Sequence, residues 1–255
     1  VKIMRISSRS NNKIKFNESH TNYTNKNGLL VPSVTTILKV LAKDDALMMW
    51  SNNLGWNRKS YKKELENSSI IGTTAHAFCE YVLTRDQDLL DQINTRMNQF
   101  PVDLYNQTKN SIISFKQWYL ENSKYLDVIS TEMQLISDEY GGTTDLICKF
   151  KGKLMLIDYK TSASFYMTQF LQLASYAKMY SNTYNEKIED VGVLRLDKKN
   201  GNRAELLKLS SLPNGDLEYY QYVFDKLVTI YRFNEVLNND WNSYKSLINS
   251  RKVLE

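Results

Sequence analysis

The sequence predicts an α/β fold in which a helical N-terminal half wraps around a later α/β core. Three observations carry this. Up to about Leu126 the apolar residues recur at helical spacing; beyond Asp127, short β-branched and apolar runs alternate with Gly-containing turns; and a helical stretch separates the third of those runs from the fourth. The 255 residues are 42% hydrophobic with only 3 Pro and 9 Gly, so the chain can fill an interior and has no linker-like or repetitive composition. One domain over 1–255 is expected, with 1–126 mainly helical and 127–255 holding the α/β core and a C-terminal helix.

Residues 1–27 are polar and rich in Asn, Ser and Lys. They lack a clear amphipathic helix, so an arm or short hairpin is expected there and a transit peptide is not. Ser33, after Pro32, is a good N-cap for a short helix. Residues 44–66 read as one or two helices rich in Trp and Lys. Ile70, Ile71, Thr74, Ala75, Phe78 and Val82 give a helix over 69–84; 87–97 and 103–123 follow, the latter with Ile112, Phe115, Trp118 and Tyr119 along one side. Strands are expected over 128–137, 143–151 and 153–159, separated by turns at Glu139-Tyr-Gly-Gly and Lys151-Gly-Lys. A helix over 168–182 precedes two strands, 191–196 and 204–209, that flank a hairpin turn at Lys198-Lys-Asn-Gly. Pro213-Asn-Gly then leads into a last helix over 216–237.

Charge and cysteine content narrow the function classes. Net charge is +5, but residues 1–63 hold 12 Lys/Arg and 3 Asp/Glu, leaving a slightly acidic remainder. A basic segment of that kind suits an acidic partner such as nucleic acid, or is a solvated surface. Two cysteines, Cys79 and Cys148, cannot form a disulfide framework or supply four thiolates to zinc or an iron–sulfur cluster. No run approaches the roughly 18 apolar residues of a membrane span, and no secretory signal is evident. A soluble, cytoplasmic protein is expected, with an organellar setting left open. High Asn, Lys and Tyr usage would suit an AT-rich genome such as that of a phage or its host.

One pattern in the core has chemical logic. Asp145 ends GGTTD, and Asp158 and Lys160 close the next strand, LMLIDYK. Residues two apart on a strand share a face, so Asp158 and Lys160 project side by side. A tight hairpin would bring Asp145 next to Asp158. Two close carboxylates repel unless a cation lies between them, and Mg²⁺ prefers oxygen ligands of this sort. A neighbouring Lys160 would offset charge on a phosphate. Alternating Asp and Lys can also be a solvated ion pair; here four apolar residues precede the pair, as a buried strand would deliver it.

These residues resemble the PD-(D/E)xK nuclease superfamily in its RecB-like exonuclease branch, which includes phage exonucleases and a mitochondrial genome-maintenance exonuclease. PSVTTIL at 32–38, GTTAHAFCE at 72–80, GGTTDLI at 141–147, IDYKTS at 157–162 and Gln172 with Tyr176 in QLASY match its motifs in order. The resemblance implies a restriction-endonuclease-like core, a mixed sheet flanked by helices. It implies that His76, Asp145, Asp158 and the Tyr159 carbonyl bind Mg²⁺ or Mn²⁺, that Lys160 is the catalytic lysine, and that Glu132 is a ligand or water-holder. Gln172 and Tyr176 would brace the site or touch the nucleic-acid backbone. With no set of four cysteines, no iron–sulfur cluster is expected. The implied activity is a metal-dependent deoxyribonuclease, an exonuclease on single-stranded DNA ends in replication, repair or recombination. The rival is a catalytically silent DNA-binding accessory protein, against which the intact Asp145, Asp158 and Lys160 set argues.

Other residues carry readings of their own. Gly72, His76 and Glu80 share one helix face, with Gly72 allowing another backbone close approach and Glu80 either steadying the imidazole or facing solvent. Cys79 is read as a buried, inert thiol, and His20 lies in the polar arm. Trp56-Asn-Arg-Lys-Ser-Tyr-Lys-Lys63, with Trp50 upstream, interleaves rings with the cations Arg58, Lys59, Lys62 and Lys63, as single-stranded nucleic-acid sites do. A helix with buried Trp and exposed Lys would look the same. Ser33 could offer first-turn N–H groups to a phosphate or act as a plain cap. A nucleotide-binding enzyme is disfavoured, since neither G-x-G-x-x-G nor a P-loop occurs.

Overall fold

A computed structural model describes residues 22–41 and 45–252. Expectations for residues 1–21, His20 included, and for Asp44 lie outside them. The elements run β1 (Asn22–Thr24), β2 (Leu30–Pro32), α1 (Val34–Leu38), α2 (Asp45–Trp56), α3 (Tyr61–Thr84), α4 (Gln87–Met97), α5 (Val102–Asn122), β3 (Leu126–Ile136), β4 (Gly141–Phe150), β5 (Lys153–Lys160), α6 (Met167–Tyr184), β6 (Asp190–Arg195), β7 (Glu205–Lys208) and α7 (Leu217–Lys252). The expected architecture is present: a helical N-terminal half, then a five-stranded mixed sheet flanked by helices.

The sheet order is β3-β4-β5-β6-β7, antiparallel except for the parallel β5–β6 pair. That pair requires a crossover, and α6 provides it. Burial alternates along the strands. Ile147, Leu154, Leu156, Val191 and Val193 pack with α1, α6 and α7, whereas Leu146, Cys148, Phe150, Met155, Ile157 and Leu194 pack with α3, α4 and α5. β5 is thus covered on both faces, which explains why its sequence is a continuous apolar run and not an alternating one. Each of its fully buried aliphatic side chains contributes roughly 1.5–3 kcal/mol from burial.

Three local expectations are revised. Gly141 and Gly142 lie in β4 and not in the turn before it, which is Ser137–Tyr140. A Cβ on Gly141 would come within 2.6 Å of the Tyr23 ring, and one on Gly142 would overlap the Tyr176 ring. The glycines therefore let the β1–β2 hairpin and α6 lie directly on the strand that carries Asp145. The β6–β7 connection is not a tight turn. It spreads over α5, where Asn110 donates to the Lys198 and Lys199 carbonyls and the Ser114 hydroxyl receives the Asp197 N–H. Asp197 closes the loop by accepting from the N–H groups of Lys199 and Asn200. Finally, α7 continues well past Leu237, since no Gly or Pro follows to stop it; its 36 residues span about 54 Å.

Ser33 is the expected N-cap, accepting the Thr36 N–H at 3.0 Å, and it forms a bridge to Gly141. The N-terminal motif thereby seats α1 against the start of β4.

The glycine contacts give a direct test. Gly142→Ala should destabilise the fold by about 1–3 kcal/mol through overpacking against Tyr176. Adding Tyr176→Leu should return part of that loss in a denaturant-unfolding cycle. Additive losses in the double variant would show that the Tyr176 ring does not set the requirement for glycine.

Candidate active site

The site lies where β4 and β5 part. A two-residue turn, Lys151-Gly152, joins them with φ of 52° and 83°, the left-handed pair that suits the twist of a hairpin. Backbone pairing then runs from Phe150↔Lys153 to Leu146↔Ile157 and stops. One step further, Asp145 and Asp158 face each other across strands held by different neighbours, β4 by β3 and β5 by β6. Asp145 Oδ2 accepts the Tyr159 N–H at 2.6 Å, so the side chain takes over a bond that the ladder no longer supplies.

Each carboxylate has a basic neighbour. Lys160 Nζ lies 2.7 Å from Asp158 Oδ2, and His76 Nδ1 lies 3.3 Å from Asp145 Oδ1. Burial is the largest influence on all four groups and disfavours each charged form. For Asp145 it is outweighed by the charge and hydrogen bond of His76, by Lys160 and by the Tyr159 N–H, which together hold the carboxyl below its usual range. For Asp158 burial prevails, with the Asp145 charge adding to it against the pull of Lys160, and the carboxyl is pushed up to about 6. His76 and Lys160 are both raised, because Asp145 and Asp158 respectively overcome the effect of burial.

Two helices and one ring fix these groups. α3, capped by Ser60, carries His76; the Tyr159 side chain points to the opposite face of the sheet from Asp158 and meets both His76 and Phe115 edge-on, each with ring centroids 5.6 Å apart. On the Asp158 face, Gln172 Nε2 donates to Tyr176 Oη at 3.0 Å. Burial pushes the Tyr176 hydroxyl upward, with Asp158 and Asp145 contributing, so the phenol is neutral beside the carboxylates. Tyr180, in the same sequence stripe, turns instead to Glu186.

Glu132 sits on β3 between Thr131 and Met133, whose partners Leu146 and Thr144 flank Asp145. Its φ of 49° is left-handed, a conformation that costs a non-Gly residue on the order of 1–3 kcal/mol. The strained position lies inside the strand, level with Asp145.

Several expected residues stand elsewhere. Arg58, Lys59, Lys62 and Lys63 are exposed around the start of α3, and Ser33 is buried in its cap. Glu80 is 5% exposed, so it does not face solvent. A Cβ on Gly72 would meet only the Thr161 hydroxyl at an ordinary 3.7 Å, so no tight backbone approach occurs there. Cys79 is buried, and burial pushes its thiol well up, which leaves it inert. The sequence reading missed the Tyr159 ring and Phe115 as supports of His76. A Tyr between two charged strand residues was the available signal.

Among the described residues, no group of three or more His, Cys, Asp and Glu side chains is gathered into a metal cage. The donor chemistry nonetheless fits a hard divalent ion. Mg²⁺ characteristically takes one or two carboxylates and completes its shell with water or phosphate, and Asp158 is a carboxyl whose burial outweighs the pull of its Lys160 partner. His76 turns Nδ1 to Asp145, so as a ligand it would present Nε2.

The strain at Glu132 separates conformation from chemistry. Glu132→Gly should be more stable than Glu132→Ala by about 1 kcal/mol, the reverse of the usual order within a strand. Equal stabilities in thermal unfolding would remove the strain argument.

No protein-family model matches the chain, and no curated protein matches it. Among solved structures, the chain is similar to a crystal structure described as a "Putative exonuclease" from Eubacterium rectale, with 13% sequence identity and a TM-score of 0.41 over 62% of this chain and 68% of that one.

Proposed function

We propose that this protein is a metal-dependent nuclease that hydrolyses phosphodiester bonds in DNA, acting as an exonuclease on single-stranded ends. The observation that carries the reading is that Asp145 and Asp158 stand where β4 and β5 part, close enough for the Asp145 charge to push Asp158 up, with Lys160 2.7 Å from Asp158. Asp145, Asp158, the Tyr159 carbonyl and His76 would hold Mg²⁺ or Mn²⁺, which supplies Lewis-acid polarisation of a phosphate and lowers the pKa of a bound water. Asp158 keeps the Lys160 ammonium charged and aimed into the site. That ammonium would orient the attacking water and offset the negative charge that builds on the phosphate oxygens. Asp145 fixes the imidazole through Nδ1 and the β5 backbone through the Tyr159 N–H. Tyr176 and Gln172 close the α6 side and would donate to substrate oxygens or hold the carboxylates in place. Glu132 is proposed as a further ligand or water-holder beside Asp145.

The proposed setting is the cytoplasm, in replication, repair or recombination. No helix among the described residues is long and apolar enough to cross a membrane, and both cysteines are free thiols. A second reading, a silent DNA-binding accessory, is favoured by one observation: the acidic groups are satisfied by His76 and Lys160 and form no three-sided cage among the described residues.

The two readings part on turnover. Purified protein should degrade end-labelled single-stranded DNA with Mg²⁺ or Mn²⁺ and stop in EDTA. Lys160→Ala and Asp145→Asn should each lower the rate by at least about 10²-fold while unfolding as cooperatively as wild type. Wild-type inactivity with every divalent ion, or full activity in either variant, would defeat the enzymatic reading. A circular single strand should resist; its degradation would defeat the requirement for an end.

A further inference from the structure

The junction between α2 and α3 carries chemistry that the site above does not use. Trp56 ends α2 and is 87% exposed, so its ring is not helix core. Arg58, Lys59, Lys62 and Lys63 follow, all exposed, and no acidic residue occurs between Asp45 and Glu64. An exposed indole followed within seven residues by four exposed cations has both an open ring face and free positive charge. It suits a strand with negative phosphates and open, flat bases.

The junction is held by defined bonds. The Lys59 N–H donates to the Leu54 carbonyl at 2.8 Å and the Arg58 N–H to the Gly55 carbonyl at 3.0 Å, which closes α2. Arg58 occupies the left-handed position of that cap, with φ of 54°, where glycine would fit without strain. Trp50 meets Tyr61 edge-on at 5.4 Å and braces α2 against the start of α3. From there α3 runs unbroken to His76. The 16 residues from Ser60 to His76 span about 24 Å at the α-helical rise. A stacked strand covers that distance in about seven nucleotides.

We propose that Trp56, with Arg58, Lys59, Lys62 and Lys63, forms a second contact for single-stranded DNA, and that α3 acts as the fixed spacer between this contact and the cleavage site. Bases stack on the indole while the cations take the phosphates. A duplex hides its base faces and would not engage the ring, so the contact selects single strands. The distance to the cleavage site rests on the nuclease reading above; the binding itself does not.

The test uses the full chain and oligodeoxythymidylates from about 3 to about 20 nucleotides, which bracket the span. Affinity with Trp56 intact, measured by anisotropy in a Lys160→Ala background that spares the strand from cleavage, should step up once the strand can reach Trp56. Trp56→Ala should abolish the step, weakening the longest strand by about tenfold or more and the shortest not at all. In otherwise wild-type protein, the same substitution should raise KM for long strands and leave kcat and short-strand turnover unchanged. Arg58→Gly should raise Tm and weaken long-strand binding, whereas a purely structural Arg58 would raise Tm with binding unchanged. Equal effects of Trp56→Ala on all lengths, or none on any, would overturn the proposal. A protein without turnover that still shows the Trp56-dependent step would keep this inference and overturn the nuclease reading.

Discussion

Asp145 and Asp158 stand together where two strands have just stopped pairing, and burial there opposes the ionisation of both. Much of the surrounding structure answers that constraint. His76 and the Tyr159 N–H stabilise the Asp145 carboxylate, and Lys160 pairs with Asp158 at 2.7 Å. The answer is uneven. Asp145 is held below the ordinary carboxylate range, while Asp158 is pushed up to about 6. Neighbouring acids whose affinities for protons are driven apart are a frequent mark of a site built for chemistry.

The helical half of the chain is arranged to serve this pair. His76 cannot come from the sheet; it comes from α3, which α4 and α5 pack against the face opposite Asp158. The Tyr159 ring links the two sides, since its backbone lies between Asp158 and Lys160 while its side chain packs on His76 and Phe115. At the other end of β4, Gly141 and Gly142 admit Tyr23 and Tyr176 to the strand itself. The strand bearing Asp145 is therefore fixed from the β1–β2 hairpin, from α6 and from α3 together. Breaking any one would loosen the strand that holds the Asp145 carboxylate.

Much of this could be read from the residues. The apolar run LMLI before Asp158 announced a strand buried on both faces, and Lys151-Gly152 announced the turn that brings Asp145 opposite. The spacing of Asp158 and Lys160 placed them on one face. Less legible were features that depend on contacts between distant segments. Two adjacent glycines look like a turn when the rings that need the space lie 118 and 34 residues away, at Tyr23 and Tyr176. The left-handed φ of Glu132 has no signature in a residue type that rarely adopts it. The long loop after β6 was mistaken for a tight turn because its anchors, Asn110 and Ser114, belong to α5. Motifs singled out several of the side chains that the fold gathers, and packing decided how they are held.

The central claim is that the two carboxylates share one electrostatic field that a cation would complete. A carbon-13 NMR titration of the Asp158 carboxyl in metal-free protein tests it most directly. The account predicts a midpoint near 6, a downward shift in Asp145→Asn where the neighbouring charge is gone, and a downward shift when Mg²⁺ is added to wild type. An Asp158 that titrates at the ordinary carboxylate value, unmoved by Asp145→Asn and by Mg²⁺, would contradict it.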